Sequence, residues 1–532
     1  TRRLPAPVVG APTLARPRAT QHASQLLLLR LHQVPRSNRP QGSNQQRAPH
    51  MRTRAISLPD NGWQKLACNA LAALGALIIL GGCASTRPAS TVANVQKMAR
   101  ELGGVSVEAA RNGEDRRAIE NRVATLLAQP LNAESAVQVA LLNNRGLQAT
   151  LAELGVADAE LLEASRLPNP GLTISRPRSG ANLEIEHSLH YSLARLLVLP
   201  LLKRTEEARF EQTQRAVAVE VLTLASETRK AWYQAVAATE SARYLAQVKD
   251  AAEASAELAR RMAEAGNFNR LQRAREQAFY AEATLNLARA QQAATSARER
   301  LTRLLGLWGD QTALALPERL PELPVNLPER VDLERTALTQ RLDVLSAKFG
   351  AERTARNLGL TRTTRFLNLL DLGLTRKTSE GNSSNLGYEL SIELPLFDWG
   401  ESRIEKAEAY YMQAVNRAAE TAVNARSEVR EAYLAWRTAY DVARHYRDEM
   451  VPLAKRISDE NLLRYNGMLI GVFELLADTR TQIATVNAAI GAQRDFWLAN
   501  ADLDMAMVGK PNLTSFATTG GAASTSQAGG GH

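Results

Sequence analysis

Residues 386–394 read Leu-Gly-Tyr-Glu-Leu-Ser-Ile-Glu-Leu, with an apolar side chain at every second position. This strict period of two predicts a β-strand with one apolar face and one carboxylate-bearing face. The same alternation runs through residues 183–193, and shorter partner segments lie upstream at 172–174 and 370–375. In a membrane barrel the apolar face meets lipid and the polar face lines an aqueous lumen. The segments therefore predict four strands of a barrel wall, with lumen-facing candidates Glu184, Glu186, Glu389 and Glu393.

The small number of strands constrains how such a sheet can be completed. In a soluble sandwich the apolar face would need a second sheet, which four strands in an otherwise helical chain cannot supply. Four strands are also too few to close a barrel, and an open edge in lipid leaves backbone groups unpaired at several kcal/mol each. The chain must therefore oligomerise.

The chain contains a long internal repeat. Residues 226–231 (SETRKA) match residues 427–432 (SEVREA), 201 positions later, and the same offset takes Gly266 onto Gly467. Each copy is predicted to contain a helix, two strands, a Leu-Pro corner, a very long helix, a Gly-containing turn and another long helix. The corners are Leu199-Pro200 and Leu394-Pro395. We assign repeat 1 to residues 131–307, a Pro-rich linker to 308–330 and repeat 2 to 331–508.

The long helices show the pattern of helices that pack along their whole length. Residues 404–450 carry mostly Ala, with some Tyr, Val and Trp, at spacings of three and four. This is a heptad seam ~70 Å long, and its small side chains permit close approach of neighbouring helices. The fold class is therefore mainly α with a small β part. A coiled-coil lipoprotein acting as a periplasmic scaffold or adaptor is the alternative, which the strands disfavour.

Charge and hydropathy divide the chain near Cys83. The net charge of +10 lies entirely in the first 82 residues, so it gives no reason to expect a nucleic-acid partner. Residues 1–50 are interpreted as disordered, or as sequence upstream of a start at Met51. Residues 51–82 are interpreted as a signal peptide, with Arg52 and Arg54 before a 15-residue apolar segment, 66–80. After Cys83 no apolar run reaches the ~18 to 20 residues of a spanning helix, which excludes a polytopic inner-membrane transporter.

The four residues Leu80-Gly81-Gly82-Cys83 resemble the lipobox of bacterial lipoproteins. The resemblance implies that Cys83 is lipidated and becomes the mature N-terminus. Ala84 stands where an inner-membrane retention signal would place Asp, so the resemblance also implies the outer membrane. The alternative is a plain signal peptide with a chance Cys. Residues 83–130 are assigned to an N-terminal periplasmic segment. The Gly/Ser/Thr-rich tail, 509–532, is predicted to be disordered.

Together, the two tandem copies, the lipobox and residues 394–400 (LPLFDWG) resemble the TolC-type outer-membrane efflux channels, and more closely their lipoprotein branch. The resemblance implies a homotrimer with a 12-stranded transmembrane β-barrel, four strands per chain, continued into the periplasm by an α-helical barrel. It also implies contact with outer-membrane lipid, a periplasmic adaptor (membrane fusion) protein and an inner-membrane pump. Copy one departs from the pattern, because its corner lacks the Phe-Asp-x-Gly residues.

In the family, helix-turn-helix tips close the tunnel and meet the adaptor. The matching turns are predicted at 263–271 and 464–474, where glycine relieves restrictions on φ. The candidate gate or adaptor-contact residues are Gly266, Arg464, Tyr465, Gly467, Glu474 and Asp478. Glu474 and Asp478 lie four apart on one helix face. They either form a gate that attracts cations or belong to an ordinary solvated face. The barrel glutamates likewise either favour cations or simply keep the lumen polar.

No pattern of catalytic, cofactor-binding or metal-ligating residues is found in the sequence. We therefore expect a passive conduit, with no enzyme activity and no cofactor, whose transport energy comes from a partner. The sequence leaves the cargo open among drugs, metal ions and proteins.

Overall fold

The computed structural model describes residues 88–176, 178–179, 182–365, 370–379, 385–393 and 396–513. The chain divides into two compact units, Thr1–Cys83 and Ala84–His532, and every described residue belongs to the second. The predicted signal peptide, the lipidation site Cys83, the corner residues Leu394-Pro395 and most of the C-terminal tail lie outside the described residues.

Long helices and one small sheet make up the described chain. The first part contains helices α1 Pro88–Gly103, α2 Gly113–Leu127, α3 Ala133–Asn143 and α4 Arg145–Ser165, strands β1 Gly171–Ser175, β2 Arg178–Ser179 and β3 Asn182–Ser192, and helices α5 Leu193–Glu264 and α6 Arg270–Leu305. After a short 3-10 turn at Gly309–Thr312 come α7 Leu333–Gln340, α8 Leu342–Thr364, β4 Leu370–Ser379, β5 Asn385–Ile392, α9 Glu401–His445, a π-helical segment Tyr446–Met450, α10 Val451–Asn466 and α11 Val472–Val508. The predicted mainly helical fold class is confirmed.

The sheet is an antiparallel meander in the order β1-β3-β4-β5. Strand β2 also pairs with β3, and it keeps the register of β1, because Gly171 faces His190 and Arg178 faces Leu183. Strands β1 and β2 therefore lie along the same edge of β3, and the sheet has four strand positions, as predicted. Its central pair, β3 and β4, joins the two repeats directly, with Leu189 opposite Leu374.

The apolar face of this sheet is exposed. Along β4, Leu372 and Leu374 are 41% and 51% exposed, whereas Thr375 on the other face is only 8% exposed. This arrangement is the reverse of a soluble half-buried sheet, in which apolar side chains turn toward a core. The exposed apolar face is the one that the sequence predicts to meet lipid.

The predicted corner in copy one is wrong. Helix α5 begins at Leu193, directly after β3, and Pro200 lies inside that helix. The predicted end of the strand at residue 193 is therefore one residue too long. Pro200 is the eighth residue of α5, beyond the first turn, so it removes one helical hydrogen bond, to the carbonyl of Leu196, and the helix continues through it. In copy two, by contrast, Gly400 has a φ of 81°, and its N–H donates to Asp398 Oδ1 at 2.7 Å.

Structural equivalences support the duplication. Helices α3 and α4 are separated at Asn144 (φ −65°, ψ 117°), and α7 and α8 are separated at Arg341 with nearly the same angles (φ −61°, ψ 124°). An ion pair also recurs in both copies. Arg229 pairs with Glu134 at 2.8 Å in copy one, and Arg430 pairs with Glu334 at 3.6 Å in copy two.

The core is built on the long helices. Trp232 is 2% exposed and donates its indole N–H to the Leu131 carbonyl at 2.8 Å. Around it, α5 packs against α2, α3 and α6. In α9 the predicted seam supplies buried residues, among them Val429 and Trp436. None of the helices in the described stretches combines the length and apolarity needed to traverse a bilayer.

A buried lysine joins the first repeat to the end of the chain. The Lys230 ammonium group donates to Asp502 Oδ1 at 2.9 Å and to the Asn512 carbonyl at 2.8 Å, and it pairs with Glu227 at 2.8 Å. Lys230 and Asp502 are 4% and 3% exposed. Pairing with two carboxylates compensates for the desolvation of the ammonium group.

The second long helix contains one residue more than the first. Residues 443–446 read Ala-Arg-His-Tyr, whereas residues 242–244 read Ala-Arg-Tyr. The π-helical segment starts immediately after His445, and such a segment accommodates a single inserted residue within a helix. The predicted seam consequently ends here, and Met450 is 38% exposed.

Candidate functional site

The barrel-lumen candidates lie together on the polar face of the sheet. Glu186 Oε1 is 3.4 Å from Lys377 Nζ on the neighbouring strand. Glu184 faces Ser379 across the same strand pair, and Glu389 faces Gly373. Glu393 follows the last residue of β5 and is exposed. The sheet thus brings Glu184, Glu186 and Glu389 onto one face, as the alternation predicts.

The first predicted tip turn joins α5 to α6. Gly266 has a φ of 79°, a conformation that glycine adopts without steric cost. Asn269 then caps α6, accepting from the Gln272 N–H at 2.8 Å. Just above the turn, hydrogen bonds from Arg260 and Arg261 lower the pKa of Glu257 to about 2. This glutamate therefore stays ionised over the whole physiological range.

The second tip turn has the same hydrogen bonds as the first, shifted by 202 residues. Asn267 donates to the Met262 carbonyl at 2.9 Å, and Leu469 donates to the Arg464 carbonyl at 2.8 Å. The inserted residue at His445 accounts for the change of offset from 201 to 202. As a result, Gly467 does not take the position of Gly266.

The predicted role of Gly467 in relieving φ is therefore wrong. Gly467 has a φ of −79°, which any residue can adopt, and Met468 takes the left-handed position with a φ of 57°. Next to it, the Arg464 guanidinium pairs with Glu460 at 3.4 Å, and the Tyr465 carbonyl accepts from the Met468 N–H at 3.0 Å. Met468 and Leu469 are 93% and 78% exposed, so the turn presents an apolar tip.

The two tip carboxylates have different surroundings. Asp478 accepts a hydrogen bond from Asn461 on α10. This contact joins α10 to α11 within one hairpin. Glu474 lies in the first turn of α11 and is exposed. A carboxylate at this position interacts favourably with the helix dipole. The described contacts thus separate the two residues that the sequence treats as a pair.

Sequence reasoning missed an ion pair that connects the two hairpins. Glu276 on α6 is 2% exposed, and its Oε1 accepts from Arg480 Nη2 on α11 at 2.9 Å. Its other oxygen accepts from Ser255 Oγ at 2.9 Å, and Arg480 lies over the Phe279 ring at 4.2 Å. Glu276 lies in a strongly charged helix, so the sequence predicts that it is exposed to solvent. The pairing with a residue 204 positions away leaves no local signal.

Within the described stretches, no three His, Cys, Asp or Glu side chains come together in a way that could hold a metal ion. The polar sheet face presents Glu184, Glu186 and Glu389, and the second tip presents apolar side chains.

Solved structures with a similar fold are known. The chain resembles a membrane protein from Pseudomonas aeruginosa, with a TM-score of 0.61 and 22% identity over 70% of this chain and 93% of that one. It also resembles the Campylobacter jejuni outer membrane channel CmeC, with a TM-score of 0.60 and 16% identity over 77% of this chain and 91% of that one. The chain therefore shares its fold with these two proteins.

Sequence comparison gives the family. Residues 333–501 match the model of the outer membrane efflux protein family. A relative from Cupriavidus metallidurans, the cobalt-zinc-cadmium resistance protein CzcC, is 26% identical over 293 residues, which are 53% of this chain and 66% of the relative. The second repeat thus matches the outer membrane efflux protein family, and this confirms the resemblance inferred from the sequence.

Proposed function

We propose that this chain is the outer-membrane channel of a tripartite efflux system, a passive homotrimeric conduit that exports its cargo from the periplasm to the exterior. The observation that carries the proposal is the two-faced sheet, whose apolar face is exposed and whose other face bears Glu184, Glu186 and Glu389. Such a sheet is suited to lipid on one side and water on the other.

The edges of the sheet support assembly. Among the described strands, β1 and β5 are each paired along one side only. Exposed edges in a bilayer are costly, and pairing β5 of one subunit with β1 of the next removes them. Three subunits with four strand positions each give a closed barrel of twelve strands. In this arrangement the carboxylates surround the lumen.

The anchor and the partners follow from the same proposal. Lipidation of Cys83 would add acyl chains that hold the N-terminus at the membrane in addition to the barrel. The tips at Gly266 and Met468 would contact a periplasmic adaptor, and an inner-membrane pump would supply energy. The exposed apolar side chains of Met468 and Leu469 support a protein contact at the second tip.

Divalent metal ions are the cargo that we propose. The relative from Cupriavidus metallidurans is described as a cobalt-zinc-cadmium resistance protein. A lumen ringed by carboxylates concentrates cations, since like charges repeated by threefold symmetry create a negative potential along the axis.

Two measurements test the proposal. Cys83→Ser protein should still fractionate with outer membranes and run as a detergent-stable trimer, because the barrel holds it there. A soluble monomer would contradict the channel and favour the periplasmic scaffold. A strain lacking the chain should be sensitive to zinc, cobalt and cadmium, and the wild-type gene should restore growth. Unchanged metal tolerance with new sensitivity to dyes and detergents would contradict the proposed cargo and leave the channel standing.

A further inference from the structure

The duplication gives each long helix of one repeat a counterpart in the other. Up to His445, residues of α9 lie 201 positions after their counterparts in α5, as the match of 226–231 with 427–432 shows. Residues of α11 lie 202 positions after their counterparts in α6, since these helices begin at Val472 and Arg270. A contact made within the chain by one repeat therefore indicates what the equivalent residues of the other repeat should contact.

Helix α5 turns one side toward α11 of the same chain. Tyr233 stacks on Trp497 with ring centroids 5.3 Å apart, and Ser241 Oγ donates to Asn487 Oδ1 at 2.6 Å. Lys230 lies on the same side and also pairs with a residue of α11. This side of α5 is covered, because each of its residues is buried or half-buried: Ser226, Lys230, Tyr233, Ala237 and Ser241.

The equivalent side of α9 is exposed in the described chain. Its residues have the same spacing, and every one of them is exposed: Ser427, Glu431, Leu434, Thr438 and Val442. We call these five residues the uncovered face of α9. Leu434 and Val442 are 64% and 45% exposed, whereas Trp436, on the side of α9 that faces α11, is 2% exposed. Exposed apolar side chains on a helix that is otherwise packed indicate an interaction surface.

The repeat equivalence indicates which helix covers this face. In the first repeat the cover of α5 is α11, and the counterpart of α11 is α6. The long helices contact one another in the order α6, α5, α11, α9, so α6 of the same chain lies at the far end of the row from α9. The covering helix must therefore come from a second copy. Helix α6 offers it a line of exposed residues at spacings of three and four, which are Ala281, Leu285, Ala288, Gln292 and Thr295.

One pair of residues supports this match. Val442 is the counterpart of Ser241, and Leu285 is the counterpart of Asn487, so the polar pair within the chain corresponds to an apolar pair between copies. Leu285 is 58% exposed within its own chain. Both positions have changed from polar to apolar together, as expected if they contact each other.

A groove on α9 has the shape that such a leucine requires. Its lining includes Thr438, Asp441, Val442 and His445. These four residues stand at positions i, i+3, i+4 and i+7, which form the hole for one side chain of a facing helix in knobs-into-holes packing. Val442, the predicted partner of Leu285, is one of the four.

We propose that the uncovered face of α9 docks on α6 of a second copy of this chain, with Leu285 of the partner subunit inserted between Thr438, Asp441, Val442 and His445. The inference rests on the proposed function, which supplies the homotrimer, and it adds which helices of neighbouring copies meet and at which residues. Each contact between copies then has the same helix arrangement as the contact between repeats within a copy. The uncovered face becomes buried only in the assembly.

Cysteine crosslinking of the purified full chain tests the docking. In a Cys83→Ser background, Val442→Cys combined with Leu285→Cys should be joined by a short bifunctional maleimide into covalent trimers on a denaturing gel. Either cysteine alone should give none. Ser241→Cys combined with Asn487→Cys is the matched control, because the same contact lies within one chain there and the bridged product should keep the monomer mass.

A second control places the cysteine elsewhere on α6. Gln291 is exposed but lies about 120° around the helix from Leu285. Val442→Cys combined with Gln291→Cys should therefore give about tenfold less covalent trimer than Val442→Cys combined with Leu285→Cys.

A second measurement uses the lifetime of the trimer in detergent. Leu285→Asp changes a residue that is exposed within its own chain, so the chain should still fold. In the assembly the new carboxylate would enter the groove beside Asp441, and the trimer should dissociate about tenfold faster. Leu285→Met conserves volume and apolarity and should leave the lifetime unchanged.

Three results would overturn the docking. They are a bridge between Val442→Cys and Leu285→Cys that forms only within single chains, an intact trimer in native mass spectrometry that gives no bridge between these cysteines, and equal trimer lifetimes for Leu285→Asp and Leu285→Met. Failure of the proposed function looks different, since the wild-type chain would then be a monomer before any crosslinker is added, while Ser241→Cys and Asn487→Cys would still be bridged.

Discussion

Gly266 and Met468 occupy the same position in two equivalent turns. Their φ values are 79° and 57°, and their N–H groups donate to the Ala263 and Tyr465 carbonyls at 3.1 and 3.0 Å. A left-handed backbone is neutral for glycine and costs other residues ~1–2 kcal/mol. Copy two therefore holds a strained residue at a tip where copy one has none.

Met468→Gly should stabilise the second turn by about 1 kcal/mol, and Gly266→Ala should destabilise the first by a similar amount. Hydrogen exchange of the turn amides measures both effects. Gly467→Ala is the control, because its φ of −79° suits any residue and an added Cβ meets its nearest atoms at 3.5 Å. Faster exchange of the turn amides in Met468→Gly than in wild type would contradict backbone strain at Met468.

His445 should be dispensable as a single residue. Its deletion is expected to turn the π-helical segment into continuous α-helix and to leave the helix below in phase, so the trimer should form in normal yield. Deletion of Gln247 from α5 is the matched control. That deletion rotates all following residues by ~100°, which displaces the buried Val248, Ala252 and Ala259. Equal loss of trimer in both deletions would show that His445 is not an insertion.

Glu276→Gln should loosen the contact between the two hairpins. The change leaves the Arg480 guanidinium without its charged partner, at a cost on the order of 2 kcal/mol, since Glu276 is buried but the Arg480 side chain is 36% exposed. Hydrogen exchange of the backbone amides should become faster in the N-terminal part of α11, around residue 480. Glu253→Gln on the same hairpin removes an exposed pair with Lys249 and should change exchange little. The same exchange pattern in both variants would contradict a specific link.

Tyr233 should make the fold sensitive to high pH. Burial raises its pKa to about 12 from 10.0, while the Arg229 charge opposes the shift and Glu134 and Asp504 add to it. The protonated ring therefore stabilises the fold fully below pH 10, and this contribution, on the order of 2 kcal/mol, is lost as pH rises from about 10 to 12. Thermal unfolding of Tyr233→Phe should fall less steeply across that window than wild type. The exposed Tyr410→Phe should follow wild type.

The parts of the fold that sequence could predict are those with a local period. Alternation at 386–392 fixed strand β5 and its faces, because every second side chain shares an environment. Pro200 predicts a corner, but α5 continues through it, because the tertiary contacts of a 72-residue helix outweigh one lost backbone hydrogen bond. The sequence also predicts an offset of 201 through Gly467, whereas the residue inserted at His445 makes the offset at the tip 202. The Glu276–Arg480 pair depends on how two distant helices dock, which no local pattern encodes.

The buried Lys230 also bears on the order in which the chain can fold. An exported chain emerges N-terminus first, so Lys230 reaches the periplasm some 270 residues before Asp502 and still longer before Asn512. Until then only Glu227 can neutralise it within the first repeat. The first repeat by itself therefore leaves the buried ammonium group with one carboxylate partner, and its second carboxylate and its carbonyl acceptor arrive only with the last described residues of the chain.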